Sequence, residues 1–347
     1  MPSSPAAPDP READEHPALI LANLGTPAEP RPRAVRSFLR EFLSDRRVVE
    51  MHPLLWRPVL EGIILRVRPR ASAAKYATVW RPGEETSRSG SPLMHYSERQ
   101  GELLQQELGE SVQVRVAMRY GQPALRRVMD ELMEAGCRRI ALLPLYPQYA
   151  ASSAGTVVDE AARFILASRN QPELRTVRSF ETAPAYIEAL ATALEQHWRV
   201  HGRPDPAAGE RLLLSFHSIP QAMHDAGDPY RAECERTVEL LSQRLNLPDG
   251  LAQLTFQSVF GPAAWIGPAT IDTVGELGRA GCPRLDVICP GFLSDCLETL
   301  EEINQLNRET FTTAGGGSFY YIPWGNDSDG AITTLAEQAR NVLAGWI

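Results

Sequence analysis

At 347 residues and 38.3 kDa the chain exceeds what one comfortable hydrophobic core accommodates, and a prior of about 150 residues per domain predicts two packed units. The 35 Lys and Arg against 43 Asp and Glu leave a net charge of −8, which argues against nucleic acid as a partner because phosphate binding draws on a basic surplus. The 43% apolar and 22% charged fractions exclude a disordered chain, and five cysteines, an odd number at low density, fit a reducing compartment better than a disulfide framework.

Residues 1–16, rich in Pro, Ala and acid, carry no targeting pattern and read as a disordered tail. Next comes LILANLGTP (19–27), an apolar strand followed by a polar turn and a proline. The segment Met51 to Trp80 mixes Leu54, Leu55, Trp56, Val59, Leu60, Ile63, Ile64 and Leu65 with Arg57, Arg66, Arg68, Arg70 and Lys75. Two readings stay open for it: a core-facing helix with solvated arginines, or an apolar and basic face resting on an anionic membrane surface. No apolar run approaches the roughly 18 to 20 residues that span a bilayer, so the chain is expected to be cytoplasmic, at most peripheral at the inner face of the cell membrane.

Gly90, Ser91 and Pro92 predict a turn before an amphipathic helix, Arg119-Tyr120-Gly121 ends a second strand, and Ala124 to Ala135 has helical periodicity. EAGCRRIALLPLYPQ (134–148) then gives a helix end, a glycine stop and a buried strand. The same grammar returns downstream. LLLSFHSIP (212–220) repeats 19–27, Arg231 to Leu245 is helical, and RAGCPRLDVICPGFLSD (279–295) repeats 134–148. Strand, helix and strand used twice predict an α/β protein of two similar Rossmann-like domains, with parallel sheets flanked by helices. Their expected extents are 17–175, with the 35–100 region as an insertion, and 176–347. With neither GxGxxG nor GxxxxGK[ST] present, no nucleotide site is supported.

Ligands of open α/β sheets bind beyond the C-terminal strand ends, here the loops after Leu21, Leu143, Leu214 and Ile288. Of seven histidines only His217 follows directly on a strongly apolar strand; His52, His95, His197, His201 and His224 fall in stretches that read as surface helix or loop. His217 is a structural hydrogen-bonder or a base near neutral pH, opposite Leu24, its counterpart in the first half. In SDCLETLEEI (294–303), Asp295, Glu298 and Glu302 share a helical face as a cap and a solvated stripe, or as a cation site or proton relay. Arg119, Tyr120 and Trp265, in FQSVFGPAAWIGPAT (256–270), offer aromatic walls and one cation for a large flat ligand carrying carboxylates. Cys289 and Cys296 lack the close partners of a metal site and read as buried thiols.

In order along residues 18–340, LANLGTP, GSPL, RYG, LPLYPQY, FHSIP with GDPY, FQSVFGPAAWIGPAT and CPGFLSDCLETLEEI resemble the successive motifs of the ferrochelatase family, in its bacterial single-chain form. The resemblance implies an enzyme with the chelatase-like fold and a porphyrin cleft between its domains. It inserts Fe²⁺ into protoporphyrin IX to give protoheme. His217 and Glu298 match the family's essential pair and implied metal ligands. Leu24, Ser91, Arg119, Tyr120, Pro220 and Trp265 match porphyrin-pocket positions, and Asp295 and Glu302 match acidic positions on a helix that is unusually wound in the family. Many relatives have a histidine where this chain has Cys296, several have Arg or Lys where it has Val259, and 81–90 is longer than the usual connection. Iron is then a substrate, no cofactor is permanently bound, and no iron-sulfur cluster is expected, because 150–153 and the stretch after Cys296 lack cysteine. Coproporphyrin III as substrate, and a non-catalytic porphyrin or heme carrier, are the competing readings.

Overall fold

The computed structural model describes residues 16–81, 90–259, 261 and 263–347. The expected tail and the long connection before GSPL fall largely outside them. Two four-stranded parallel sheets are flanked by helices. The first joins β1 (Ala18–Asn23), β2 (Gln113–Met118), β3 (Arg139–Pro144) and β4 (Glu173–Thr176) in the order β2-β1-β3-β4. The second joins β5 (Arg211–His217), β6 (Ala252–Gln257), β7 (Arg284–Ile288) and β8 (Ser318–Ile322) in the order β6-β5-β7-β8. Each order is 2-1-3-4, so the internal repeat read from 19–27 against 212–220 and 134–148 against 279–295 is a repeat of topology. In both sheets the order reverses between the first and third strands, the crevice where doubly wound sheets hold ligands.

The central strands are apolar throughout because helices cover both faces: every residue of β1 and β7 is buried. The two halves are not separate globules. One apolar cluster runs from Leu19, Leu21 and Leu143 of the first sheet to Leu212, Leu214 and Ile288 of the second, and on to Leu335 and Leu343 of the last helix, Asp329–Leu343. That helix packs back against β3 and the helix Pro92–Leu108 of the first half. The 175/176 division cuts β4 just before its last residue, Thr176.

Polar contacts fix how the halves meet. Buried Gln100, on Pro92–Leu108, donates from Nε2 to the Leu293 carbonyl at 2.9 Å and the Asn326 carbonyl at 2.7 Å, and Ser294 Oγ donates to its Oε1 at 3.3 Å. Gln148, after β3, donates to Tyr186 Oη at 3.0 Å and Thr237 Oγ1 at 2.9 Å. The seam thus holds buried polar groups whose donors are paired across it, while Gln148 Oε1 is left without a hydrogen-bond partner.

The segment Met51 to Trp80 forms a continuous helical arm: Pro53–Val59, a wide turn at Leu60–Ile64, then Leu65–Val79. One face of it is core-facing and the other is not: Leu54, Leu55, Ile63 and Val67 are 77, 67, 58 and 68% exposed, whereas Leu60, Leu65, Pro69, Ala73 and Val79 are buried and Trp56 and Ile64 pack against Leu43, Leu60 and Leu65. Two histidines also differ from expectation: His95 is buried within Pro92–Leu108, and His197 stacks on His201 at 4.5 Å between ring centres.

Gln100→Leu keeps the volume but strips two buried carbonyls of their donor. Urea unfolding should register a loss of roughly 2–4 kcal/mol, and unchanged stability would show that the seam does not depend on these bonds.

Candidate active site

The candidate reactive groups lie in the second half. His217 closes β5, where Nδ1 lies 2.5 Å from the Ser218 carbonyl. A carbonyl only accepts, so Nδ1 carries the proton and Nε2 keeps the lone pair, the arrangement of a base or metal ligand. Glu298 opens a ten-residue helix, Glu298–Asn307, wound with i→i+5 hydrogen bonds. Gln257, the last residue of β6, pairs in register with His217 and donates from Nε2 to the Glu298 carbonyl at 2.8 Å. Its Oε1 accepts from Ser215 Oγ at 2.8 Å. One buried amide therefore ties the histidine strand to the first turn of the glutamate helix.

Glu302 lies in the same neighbourhood. Its carboxylate accepts from the Ser258 amide and hydroxyl, each at 2.6 Å. Ser258 adopts φ +65°, a left-handed conformation uncommon for a side-chain-bearing residue, which brings both donors to one carboxylate. Burial holds Glu302 above the ordinary carboxylate range. The Ser258 bonds and His217 pull it down, and Glu298 pushes it up, so the three groups act on one another.

Asp295 is placed differently from the shared-face expectation. It precedes the helix, and its carboxylate accepts from Tyr321 Oη at 2.5 Å, Thr299 Oγ1 at 2.6 Å and Asn326 Nδ2 at 2.7 Å. With three donors on two oxygens it anchors the turn that launches the helix. His217 and Glu298 both belong to the second half, His217 on β5 and Glu298 on the helix reached through the loop after the adjacent strand β7.

Pro220 and Trp265 come together: they form an isolated antiparallel bridge, flanked by Gln221 N to the Ala264 carbonyl at 2.9 Å and Ile266 N to the Ile219 carbonyl at 3.1 Å. In the first half, Leu24 follows β1, and its carbonyl accepts the Tyr120 amide at 2.9 Å. Gly25 has φ +108°, and a Cβ there would sit 1.8 Å from the Tyr120 carbonyl oxygen, so this glycine serves close backbone approach, with no phosphate loop. Ser91 precedes Pro92–Leu108, and its buried hydroxyl donates to Thr26 Oγ1 at 2.8 Å.

Arg119 does not stand free for a ligand carboxylate. Its guanidinium bonds Asp45 Oδ2 at 2.5 Å and the Thr156 carbonyl at 2.9 Å, with side-chain exposures of 9% for Arg119 and 5% for Asp45. Tyr120 Oη donates to the same Asp45 oxygen at 3.0 Å, and its ring meets Phe42 edge-on. The pair braces the arm's base against β2. Asp45, Gln257 and Ser258 were not singled out in the sequence: the last two lie inside FQSVFGPAAWIGPAT, but nothing in local spacing pairs Asp45 with a residue 74 positions away.

Two first-half phenols, Tyr76 of the arm and Tyr146 of the loop after β3, approach from the other side. Burial pushes both hydroxyls well above their ordinary range, and the Glu298 carboxylate adds to each shift. The Tyr146 hydroxyl is buried without a hydrogen-bond partner. Cys296 packs with Leu93, Met94 and Met118, so the glutamate helix begins against the first half. Lys75 of the arm also meets Glu301 of that helix at 2.9 Å. Among the described residues, no group of three or more His, Cys, Asp and Glu side chains is arranged to hold a metal ion.

A family model described as Ferrochelatase matches residues 16–343. Among curated proteins, a ferrochelatase of Dechloromonas aromatica (strain RCB) is 48% identical over 332 residues, covering 95% of this chain and 88% of the relative. One of Methylobacillus flagellatus is 43% identical over 342 residues, covering 97% and 96%. Among solved structures, SirB from Bacillus subtilis with Fe³⁺ superposes with a TM-score of 0.54 at 12% identity, covering 95% of this chain and 96% of that one. CbiX, the terminal enzyme for biosynthesis of siroheme in denitrifying bacteria, does so at 0.50 and 15%, covering 94% and 100%. These structural likenesses establish the chelatase-like fold.

Asp45→Ala leaves Arg119 buried and unpaired, and denaturant unfolding should show a loss of roughly 3–5 kcal/mol; exchanging the pair for Asp45→Leu with Arg119→Met should recover most of it. For Glu302 the folded pKa is raised, so its contribution to stability is complete below the unfolded value of about 4.3 and lost as pH rises through the folded one. Glu302→Gln is therefore expected to raise Tm at pH 7.5, with the advantage fading toward pH 4; a gain that grows on acidification would contradict the assignment.

Proposed function

The chain belongs to the ferrochelatase family, enzymes of heme biosynthesis that insert metal into a porphyrin, and we propose that this one takes Fe²⁺ and protoporphyrin IX to protoheme at the edge of a membrane. The observation that carries the substrate choice is the pairing of Arg119 with Asp45. Protoporphyrin IX bears two carboxylates and coproporphyrin III four, and each added carboxylate in a partly buried pocket calls for a cation to meet it. With the guanidinium of Arg119 committed inside the protein, the less charged substrate is favoured. The exposed arm residues Leu54, Leu55, Ile63 and Val67 argue the same way, since they suit a lipid-soluble substrate reaching the cleft from a membrane surface. No helix among the described residues is long and apolar enough to cross a membrane; the proposed contact is peripheral and transient, at the inner face of the cell membrane.

Insertion exchanges two pyrrole protons for one dication. His217, with Nε2 basic, accepts a proton from a pyrrole nitrogen. Glu298 offers Fe²⁺ a hard oxygen ligand from the helix that also carries Glu302. Glu302, held by Ser258 and raised by burial, takes up the second proton more readily than a solvated carboxylate. Leu24 and Ser91 from one side, and Pro220 and Trp265 from the other, form the walls that orient the macrocycle, with Arg119 and Tyr120 bracing the first wall from behind. Asp295 holds the start of the glutamate helix. Iron enters as substrate, and the proposal includes no resident cofactor.

His217→Ala and Glu298→Gln should each cut iron insertion by at least about 100-fold while circular dichroism stays native; near wild-type turnover in both would sink the assignment. An anaerobic assay comparing the two porphyrins tests the substrate, with higher kcat/KM on coproporphyrin III as the outcome that overturns it. Many turnovers of heme per chain would dispose of the carrier reading.

A further inference from the structure

At the foot of the arm a depression of about 520 Å³ opens between the 46–52 turn and the helix Ala154–Ala167. Three guanidiniums line it, those of Arg46, Arg47 and Arg163, together with Met51 and His52. The carboxylates of Glu50 and Asp159 line it too, leaving a net charge of about one positive among the lining residues with His52 neutral, and Arg163 is also held by Glu160 at 3.1 Å. Arg47 holds Asp159 in a two-point pair at 2.8 and 2.9 Å, which fixes one wall and neutralises that acid. Arg46 is exposed and has no hydrogen bond or ion pair among the described residues. A phosphodiester carries one negative charge and presents its oxygens in the geometry that a guanidinium fork matches.

The surroundings identify the occupant. Met51, 45% exposed, is both wall and rim, and His52 begins the helix whose first exposed side chains are Leu54 and Leu55. An amphiphile with its headgroup in the depression would lay its acyl chains along those leucines. Residues 46–75 hold seven basic and two acidic side chains, a net of +5 in a chain of −8, so this edge is the one an anionic surface attracts. We propose that the depression is a headgroup site for an anionic phospholipid, occupied when the arm meets the membrane. The inference rests on the peripheral reading of the arm and adds a defined lipid site to it.

The full chain is tested by co-sedimentation with vesicles of phosphatidylcholine, with and without phosphatidylglycerol. Wild type should bind both and prefer the second. Arg46→Gln with Arg163→Gln should lose roughly thirty-fold of the preference, at about five-fold per cation. The discriminating variant is Arg46→Lys with Arg163→Lys, which keeps the charge and loses the fork: a built site loses roughly ten-fold, whereas Arg66→Lys with Arg70→Lys loses nothing. Wild-type preference in the Arg46→Lys, Arg163→Lys protein would overturn the site in favour of a diffuse field. Wild type that binds both vesicles equally overturns the site and spares the arm's membrane role, and wild type that ignores both overturns the two together. Leu54→Asp with Leu55→Asp should abolish binding to either vesicle. Inorganic phosphate should not displace the vesicles at equal concentration; if it does, the site belongs to free phosphate. Turnover on detergent-dispersed porphyrin should be unchanged in the arginine variants.

Discussion

A buried polar group must find a partner, and in this molecule that requirement decides how two similar sheets come to face each other. Apolar packing alone would let the halves slide. Gln100 admits one registry, because its two carbonyl acceptors, Leu293 and Asn326, sit at the loops that launch and support the glutamate helix. Gln148 does the same through Tyr186, whose own hydroxyl donates to the Pro290 carbonyl at 3.0 Å. Displacement by one residue would strand several donors in a dry seam, at roughly 1–3 kcal/mol for each. The first half therefore acts as the wall against which the chemistry of the second is positioned.

Chemistry itself sits where the local structure is least regular. The i→i+5 winding of Glu298–Asn307 is rare over ten residues, and it persists because side chains brace it at both ends. At the start are Asp295 with its three donors and Gln257 on the Glu298 carbonyl; at the end Asn307 Nδ2 donates to the Glu302 carbonyl at 2.7 Å. Lys75 adds a tether from the arm. Burying Glu302 and forcing Ser258 into a left-handed conformation both cost stability, and they converge on one carboxylate beside His217 and Glu298. Strain that gathers on one cluster of titratable residues is the pattern expected of a functional site.

Much of this was legible in the residues. Continuous apolar runs ending in a polar turn and a proline identified β1, β3, β5 and β7, because a strand covered on both faces has no alternating pattern to confuse. The strand-end rule then selected His217 from seven histidines. What escaped was whatever depends on distant partners. Nothing near Arg119 announces Asp45, and a guanidinium in an internal ion pair looks the same in sequence as one awaiting a ligand. Asp295, Glu298 and Glu302 read as one face under α-helical spacing, but the helix begins after Asp295 and is wound more widely. The arm kept two readings because amphipathic periodicity says that one side is apolar without saying what covers it. His95 was misplaced for a related reason: the helix around it is clad by the last helix of the chain, which lies far away in sequence.

The shared apolar cluster has a consequence for how the molecule comes apart. A duplicated architecture invites a picture of two modules that melt one after the other, yet Leu335 and Leu343 at the end of the chain complete a core that begins at Leu19. Each sheet keeps an apolar cluster of its own on its other face, but the interior between the sheets excludes water only when both halves are in place, so the duplication survives in topology without full independence. The last helix of the chain therefore closes an interior that strands from both halves share.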